Sequence, residues 1–221
     1  MTMADSVQKL QPSARHVFDE LIAQYAVCER PDEQTRIRNR IWEQFGACGA
    51  TFISDMANFS STSRKLGVCH FLKLIYRARL TIAPIITAHN GTLLKYDADN
   101  CYAYFASTDD AIQASLDINA ELFLANQSLD LSDHIYLSVG IDYGDLLLVG
   151  SEDFYGDPVN TASKLGEDLA VKGEVLVTER AIAESGYVAP ENVERMVARV
   201  SDIEISYLRL PMRKSSMQTR S

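Results

Sequence analysis

The chain has 221 residues, enough for one domain of ~100–200 residues with an appendage, or for two very small ones. Apolar residues make up 47% and charged residues 23%, which excludes a disordered chain. Lys and Arg number 21 against 30 Asp and Glu, a formal charge of −9 that argues against a broad nucleic-acid grip. A phosphorylated ligand must then be met at a local site, with the help of metal ions.

Residues 1–12 read as a loose polar tail with no features of a signal peptide. Residues 13–44 read as helical. Val17, Leu21, Ile22 and Tyr25 recur at helical spacing, Pro31-Asp32 breaks the pattern, and a second short helix carries Ile37, Ile41 and Trp42. The expected role of this segment is packing or dimerisation. Residues 47–59 begin as an apolar β-rich run and end in a small-residue loop. Residues 60–89 read as a long helix with an apolar stripe of Leu66, Phe71, Leu74, Ile75, Ile82, Ile85 and Ile86; Pro84 is expected to kink or divide it. Asn90-Gly91 is a stop signal.

A hairpin follows: strands Thr92–Tyr96 and Cys101–Phe105 flank the turn residues Asp97-Ala98-Asp99-Asn100. Residues 108–126 are helical. Residues 135–149 read as two strands around Tyr143-Gly144-Asp145, and residues 158–170 as helix. Glu174–Thr178 is a strand, 179–184 a short helix and Ile203–Leu210 a last strand. The residues from Pro211 onward, 211–221, read as a disordered basic tail. The predicted class is α+β, an antiparallel-rich sheet packed with helices.

Cys28, Cys48, Cys69 and Cys101 are widely spaced, with no CxxC, and read as free thiols that mostly fill the core of a cytosolic protein. No run of ~18 apolar residues occurs, so no membrane span is expected and the implied setting is cytoplasmic.

Three segments carry residues suited to chemistry. In Phe52-Ile53-Ser54-Asp55-Met56-Ala57-Asn58-Phe59-Ser60 an acid ends a buried strand and leads into a turn. Backbone N–H groups in such a turn suit phosphate oxygens, and the carboxylate suits Mg²⁺ or Mn²⁺; an aspartate there can equally cap the next helix. In Lys95-Tyr96-Asp97-Ala98-Asp99 alternation puts Lys95, Asp97 and Asp99 on one face if the strand continues, although an exposed hairpin tip has the same composition. In the segment from Asp153 to Lys164, Pro158 suits a first helical turn. Asn160 and Lys164 then share a helical face that can hold a sugar and a phosphate, or simply be solvated.

Taken together these segments resemble the class III nucleotide cyclases, the adenylate and guanylate cyclase catalytic domain. The family's F-x-D-I-x-G-F-T is similar to FISDMANFS at Phe52, Asp55, Phe59 and Ser60. The family's K-x-I-G-D hairpin is similar to KYDAD at Lys95 and Asp99. The family's D-x-x-G-x-x-V-N-x-A-x-R is similar to the chain at Asp153, Gly156, Val159, Asn160 and Ala162, with Lys164 in place of the arginine. VGIDYGDLLLVG looks like a further family segment, and the resemblance spans about residues 47–180.

The resemblance implies a ferredoxin-like core over 45–210, after an N-terminal tail and helical segment over 1–44. It implies two Mn²⁺ or Mg²⁺ ions per site on Asp55 and Asp99, with the Met56 carbonyl as a further ligand. Asn160 would orient the ribose and Lys164 would meet the α-phosphate. Phe52, Ala57, Asn58, Phe59, Ser60, Lys95, Asp97 and Asp153 would line the substrate, a nucleoside triphosphate. A homodimer would form its sites between subunits. Family guanylate cyclases carry Glu and Cys at the Lys95 and Asp153 positions, which disfavours guanine; adenine, uracil and cytosine stay open. Asp97 stands where the family has an aliphatic residue, and the bare catalytic plan resembles the stand-alone bacterial pyrimidine cyclases of anti-phage signalling. The reading is therefore a uridylate cyclase, with an adenylate cyclase or a non-catalytic nucleotide-binding module as alternatives, and a separate effector that senses the product. The family's Lys-Gly loop before the last strand is missing from SDIEISYLRL.

Overall fold

The computed structural model describes residues 13–57, 66–190, 193–200 and 203–210. Helix α1 (Ala14–Val27) starts where the Ser13 hydroxyl accepts from the His16 amide at 3.2 Å. Helix α2 (Pro31–Phe45) starts on Pro31, whose fixed φ suits a first turn, with Asp32 and Glu33 at its positive end. The two helices bury Phe18 and Leu21 against Ile37, Ile41 and Phe45, in one cluster with Val149 from the sheet. The packing role of this segment is therefore visible. Its buried stripe is narrower than predicted: Ile22, Tyr25 and Trp42 stay exposed, because two helices lying on one strand end need only one seam.

The rest of the chain forms one sheet and its covering helices. Strand β1 (Gly46–Met56) is followed by α3 (Val68–Ala88), β2 (Thr92–Asp97), β3 (Asn100–Phe105), α4 (Thr108–Asn126) and β4 (Leu137–Val149). Then come β5 (Asp153–Tyr155), α5 (Asp157–Ser163), β6 (Val175–Thr178), α6 (Glu179–Ala183), β7 (Glu194–Val200) and β8 (Ile203–Leu210). The strand order is β2-β3-β1-β4-β6-β8-β7, with β5 paired to β4. Every pairing is antiparallel except β4 with β6. The unit from β1 to β4 is ferredoxin-like, as expected.

Side-chain alternation along β1 sets up the two faces. Ala50, Phe52 and Met56 join Ala103, Phe105, Leu137, Val139 and Ile141 in the main core with Phe71, Leu74 and Ile82 of α3 and Ile112 of α4. Ile53 points the other way, into a cluster with Leu146, Phe154 and Ala162. Asp55 has the parity of Ile53, so the acid at the end of β1 lies on the α5 side of the sheet.

Several predicted features differ. The expected break at Tyr143-Gly144-Asp145 is absent: β4 is one strand, because β1 pairs with it without interruption from Gly46↔Leu147 to Met56↔Leu137. Helix α3 runs through Pro84 undivided. The carbonyl that Pro84 leaves unbonded belongs to Leu80, which is exposed and can be met by water. Leu66 is exposed outside the stripe. The predicted helix over 158–170 stays α-helical only to Ser163, and Lys164–Leu169 winds as a π-helix. Close packing accompanies that change: a Cβ on Gly166 would lie 2.7 Å from the Ile53 carbonyl oxygen. Strands β5 and β7 were not predicted; β5 has three residues, and β7 is an edge strand dense in Arg and Glu. Of the four cysteines only Cys101 is buried, Cys48 and Cys69 being exposed.

The hairpin turn carries local strain. Ala98 sits at φ 49°, a left-handed conformation that costs an L-residue with a Cβ roughly 1–2 kcal/mol. Ala98→Gly is expected to raise stability by about 1 kcal/mol, read as a higher denaturation midpoint. An unchanged midpoint would show that the turn carries no such strain.

Candidate active site

Two pairs of candidate side chains come together in the fold. The first is Asp55 with Asp99. Asp55 ends β1, and Asp99 lies in the turn that closes the β2–β3 hairpin, whose strand β3 pairs with β1. The strand does not continue to Asp99, since β2 ends at Asp97; the turn itself delivers the second acid. The two carboxyls lie near enough for the charge of one to bear on the other. Burial and the neighbouring Asp99 charge push Asp55 up to about 6, against an ordinary value of 3.8. Burial also raises Asp99, against the pull of backbone N–H groups that include that of Met56. Asp99 Oδ2 is buried without a hydrogen-bond partner. Two half-buried acids, one with an orphaned oxygen, form a donor set that fits hard divalent cations. No group of three or more His, Cys, Asp or Glu suited to a metal occurs among the described residues.

The second pair is Lys95 with Asp153, whose Nζ and Oδ1 lie 2.8 Å apart. Lys95 also lies over the Tyr102 ring at 5.1 Å. Burial opposes the charge on Asp153, yet Lys95, the Tyr155 hydroxyl and the Phe154 N–H outweigh it and hold the carboxyl below its ordinary value. Lys95 and Asp153, both expected to contact the base, are thus paired with each other in the fold.

Other predicted residues are placed differently. Asn160 is exposed on α5, and among the described residues no side-chain bond ties it to either pair. Lys164 begins the π-turn, with Nζ 3.0 Å from Asp168 Oδ2. Asp97 is exposed at the hairpin end. Ala57 donates its N–H to the Tyr136 carbonyl at 3.0 Å. Phe52 corrects an expectation. It is fully buried on the opposite face of β1, 6.2 Å from the Phe105 ring, where it packs the core and does not line a substrate. Asn58, Phe59 and Ser60 lie outside the described residues.

Three residues beside these pairs were missed. Arg15 of α1 donates to Asp153 Oδ2 at 3.1 Å, and the Tyr155 hydroxyl reaches the same oxygen at 2.9 Å. Glu167 accepts from Asn100 at 3.1 Å and from the Tyr102 hydroxyl at 3.4 Å, and burial and the charge of Asp55 raise its pKa. Glu167 was legible as the residue one helical turn beyond Lys164; nothing in the sequence links Arg15 to a residue 138 positions away. A cavity of about 270 Å³ opens elsewhere, along Asp157, Thr161, Arg180, Glu204 and Ser206, and none of the predicted site residues lines it.

Comparison with known proteins places this geometry. No known protein-family profile matches the chain. A curated relative, "Putative adenylate cyclase 3" of Rhizobium meliloti (strain 1021), is 29% identical over 135 residues, 56% of this chain and 23% of its own length. The chain thus spans about a quarter of that relative. Among solved structures, the guanylyl cyclase Cya2 superposes with a TM-score of 0.65 at 19% identity, covering 75% of this chain and 92% of its own. The adenylate/guanylate cyclase/hydrolase from Silicibacter pomeroyi gives a TM-score of 0.60 at 24% identity, covering 75% and 98%. A bacterial light-regulated adenylyl cyclase gives 0.63 at 19% identity and covers 92% of this chain and 67% of its own. The fold is that of the class III adenylate/guanylate cyclase catalytic domain. Among the described residues no helix is long and apolar enough to cross a membrane.

Proposed function

We propose that the chain is a nucleotide cyclase, which turns a nucleoside triphosphate into a 3′,5′-cyclic nucleotide and pyrophosphate. The observation that carries this reading is the Asp55–Asp99 pair, two raised carboxyls with an orphaned oxygen on a cyclase fold. These acids would hold the Mn²⁺ or Mg²⁺ ions, with the Met56 carbonyl as a further ligand. Such ions acidify a hydroxyl and neutralise phosphate charge. The protein's own part is positional. Asn160 would orient the ribose, and Lys164 would place a cation against charge growing on the α-phosphate, without the fork of an arginine.

Asn160 is exposed and, among the described residues, no side-chain bond ties it to the acid pair, which supports a site completed by a second copy of the chain. A homodimer would then hold two sites, each with metal acids from one copy and Asn160 and Lys164 from the other. The Ala57 N–H is engaged by Tyr136, so Asn58, Phe59 and Ser60 would be the residues that meet the phosphates.

Which base is cyclised is the finer question. The curated relative's name and the Lys95–Asp153 pair favour ATP: the lysine would donate to a ring nitrogen and the carboxylate would accept from the amine. The second reading is a uridylate cyclase whose product is read by a separate defence effector. Asp97, raised above as the base-reading oddity, is exposed at the hairpin end and lends it little. Incubation with ATP, GTP, CTP and UTP plus Mn²⁺, with products identified by mass, tests both. A cyclic nucleotide and pyrophosphate are the expected products; none from any of the four would overturn the enzyme reading.

A further inference from the structure

We propose that Arg79, on helix α3, is a positioning residue for the metal centre: it holds the hairpin turn in the conformation that brings Asp99 beside Asp55. The proposal rests on the metal assignment made above and adds to it the side chain that sets the second acid.

Asp55 is placed by the sheet. It lies near the end of β1, which pairs with β4 through Asp55↔Ser138 and Met56↔Leu137. Asp99 lies past the end of β2, in the turn between Asp97 and Asn100, so its place depends on how that turn is wound. The residue before it, Ala98, is left-handed at φ 49°. Alanine has neither the freedom of glycine nor the polar side chain of asparagine to favour that conformation. A contact from outside the turn is needed to hold it.

Arg79 supplies two such contacts. Its Nη2 donates to the Ala98 carbonyl at 2.9 Å. Its guanidinium lies over the Tyr96 ring, 4.4 Å from the centroid. One side chain thus grips both the end of β2 and the turn that follows. The peptide plane that carries the Ala98 carbonyl also carries the Asp99 N–H, and a peptide unit rotates as one rigid plane. With the carbonyl held toward α3, that plane cannot turn over, and the Asp99 backbone keeps its direction toward the end of β1. The helix is a firm mount: Ile75, Ala78 and Ile82, on either side of Arg79, are buried in the main core.

Stability alone does not account for this arginine. Its Nε is buried with no hydrogen-bond partner. An unpaired buried donor costs stability, and so does a left-handed alanine. Local departures of this kind gather where a function requires them. Here both meet at the turn that carries a metal acid.

The test is Mn²⁺ binding without nucleotide, followed by the electron paramagnetic resonance of free Mn²⁺, in wild type, Arg79→Met, Arg79→Lys and Asp99→Asn. Arg79→Met removes the donor and is expected to weaken Mn²⁺ binding roughly tenfold, as loss of a residue that orients a metal ligand does. Arg79→Lys keeps the cation and is expected to recover part of the loss. Ala98→Gly added to Arg79→Met is expected to recover part as well, since glycine takes the left-handed turn unaided. In turnover, Arg79→Met is expected to raise the KM for Mn²⁺ while kcat at saturating Mn²⁺ stays within about threefold. Thermal melts show that each variant is folded; if Arg79→Met is not, Arg79→Lys decides in its place. Affinity within about twofold of wild type in the arginine variant, with binding lost in Asp99→Asn, overturns this proposal and leaves the metal centre standing. Wild-type affinity in Asp99→Asn, or no Mn²⁺ bound by the wild type, removes the metal assignment and this proposal with it.

Discussion

Asp55→Ala and Asp99→Ala are each expected to lower cyclic-nucleotide formation by roughly a thousandfold or more, since each removes half of the acid pair proposed to hold the metal ions. Metal centres of this kind contribute several kcal/mol to the transition state, and each 1.36 kcal/mol is a factor of ten. The loss should come without unfolding. The carboxyls oppose one another and have been taken partly out of water, so removing one relieves the metal-free fold. The sign follows from linkage. The folded chain holds a proton on Asp55 up to about pH 6, whereas an unconstrained aspartate releases it near 3.8. The folded state binds more protons over that window, and stability falls as pH rises through it. Asp55→Asn should flatten this part of the stability profile, and Mn²⁺ should raise the wild-type melting temperature more at neutral pH than at pH near 5. Activity within about threefold of wild type in either alanine variant would remove that residue from the metal centre. A melting temperature indifferent to Mn²⁺ at neutral pH would do the same for the pair.

How much of this was legible follows the range of each interaction. The acids and Lys95 could be placed from the sequence because their spacing is local: Asp55 ends an apolar run, and Lys95 and Asp99 bracket a turn. The α+β class came from alternating helical and extended patterns, and the ferredoxin-like core from the family resemblance. What was illegible depends on pairing across the sheet. The Gly144 region looks like a turn alone, and only the uninterrupted partnership with β1 keeps it extended. Strand β7 lacked a clear apolar signal because Arg195 and Arg199 punctuate it at the sheet edge. Phe52 was assigned by motif, yet its parity with Ala50 and Met56 already pointed into the core. Lys164 was expected on a regular helix, and the π-turn comes where Gly166 is pressed against Ile53 of β1 and Gly140 of β4. Arg15 reaches Asp153 only because α1 folds back onto the end of β4, a docking with no local signature.

The charge on Arg180 supports a buried acid that no motif revealed, and Arg180→Ala is expected to destabilise the fold by about 3 kcal/mol. Asp142 of β4 is fully buried. It accepts from Arg180 Nε at 2.6 Å and from Thr178 at 2.5 Å, with the Tyr143 N–H at 2.8 Å. Arg180 also bonds Asp142 Oδ2 through Nη2, and the same nitrogen reaches Asp157 at 2.7 Å at the start of α5. One guanidinium thus ties β4, the β6–α6 junction and the helix that carries Asn160. Its removal leaves an ionised carboxylate in the sheet interior with two neutral donors and no cation. Uncompensated charge of that kind, more than the lost bond, makes the change costly. The arginine side chain itself is nearly half exposed, so its own pairing with Asp157 at the surface adds little. The double variant Asp142→Asn/Arg180→Met separates the two contributions. It is expected to recover more than half of the lost stability in denaturant melts, because the stranded charge is gone. If the double variant is as unstable as Arg180→Ala alone, the cost lies in the packing of the arginine stem and not in the buried acid.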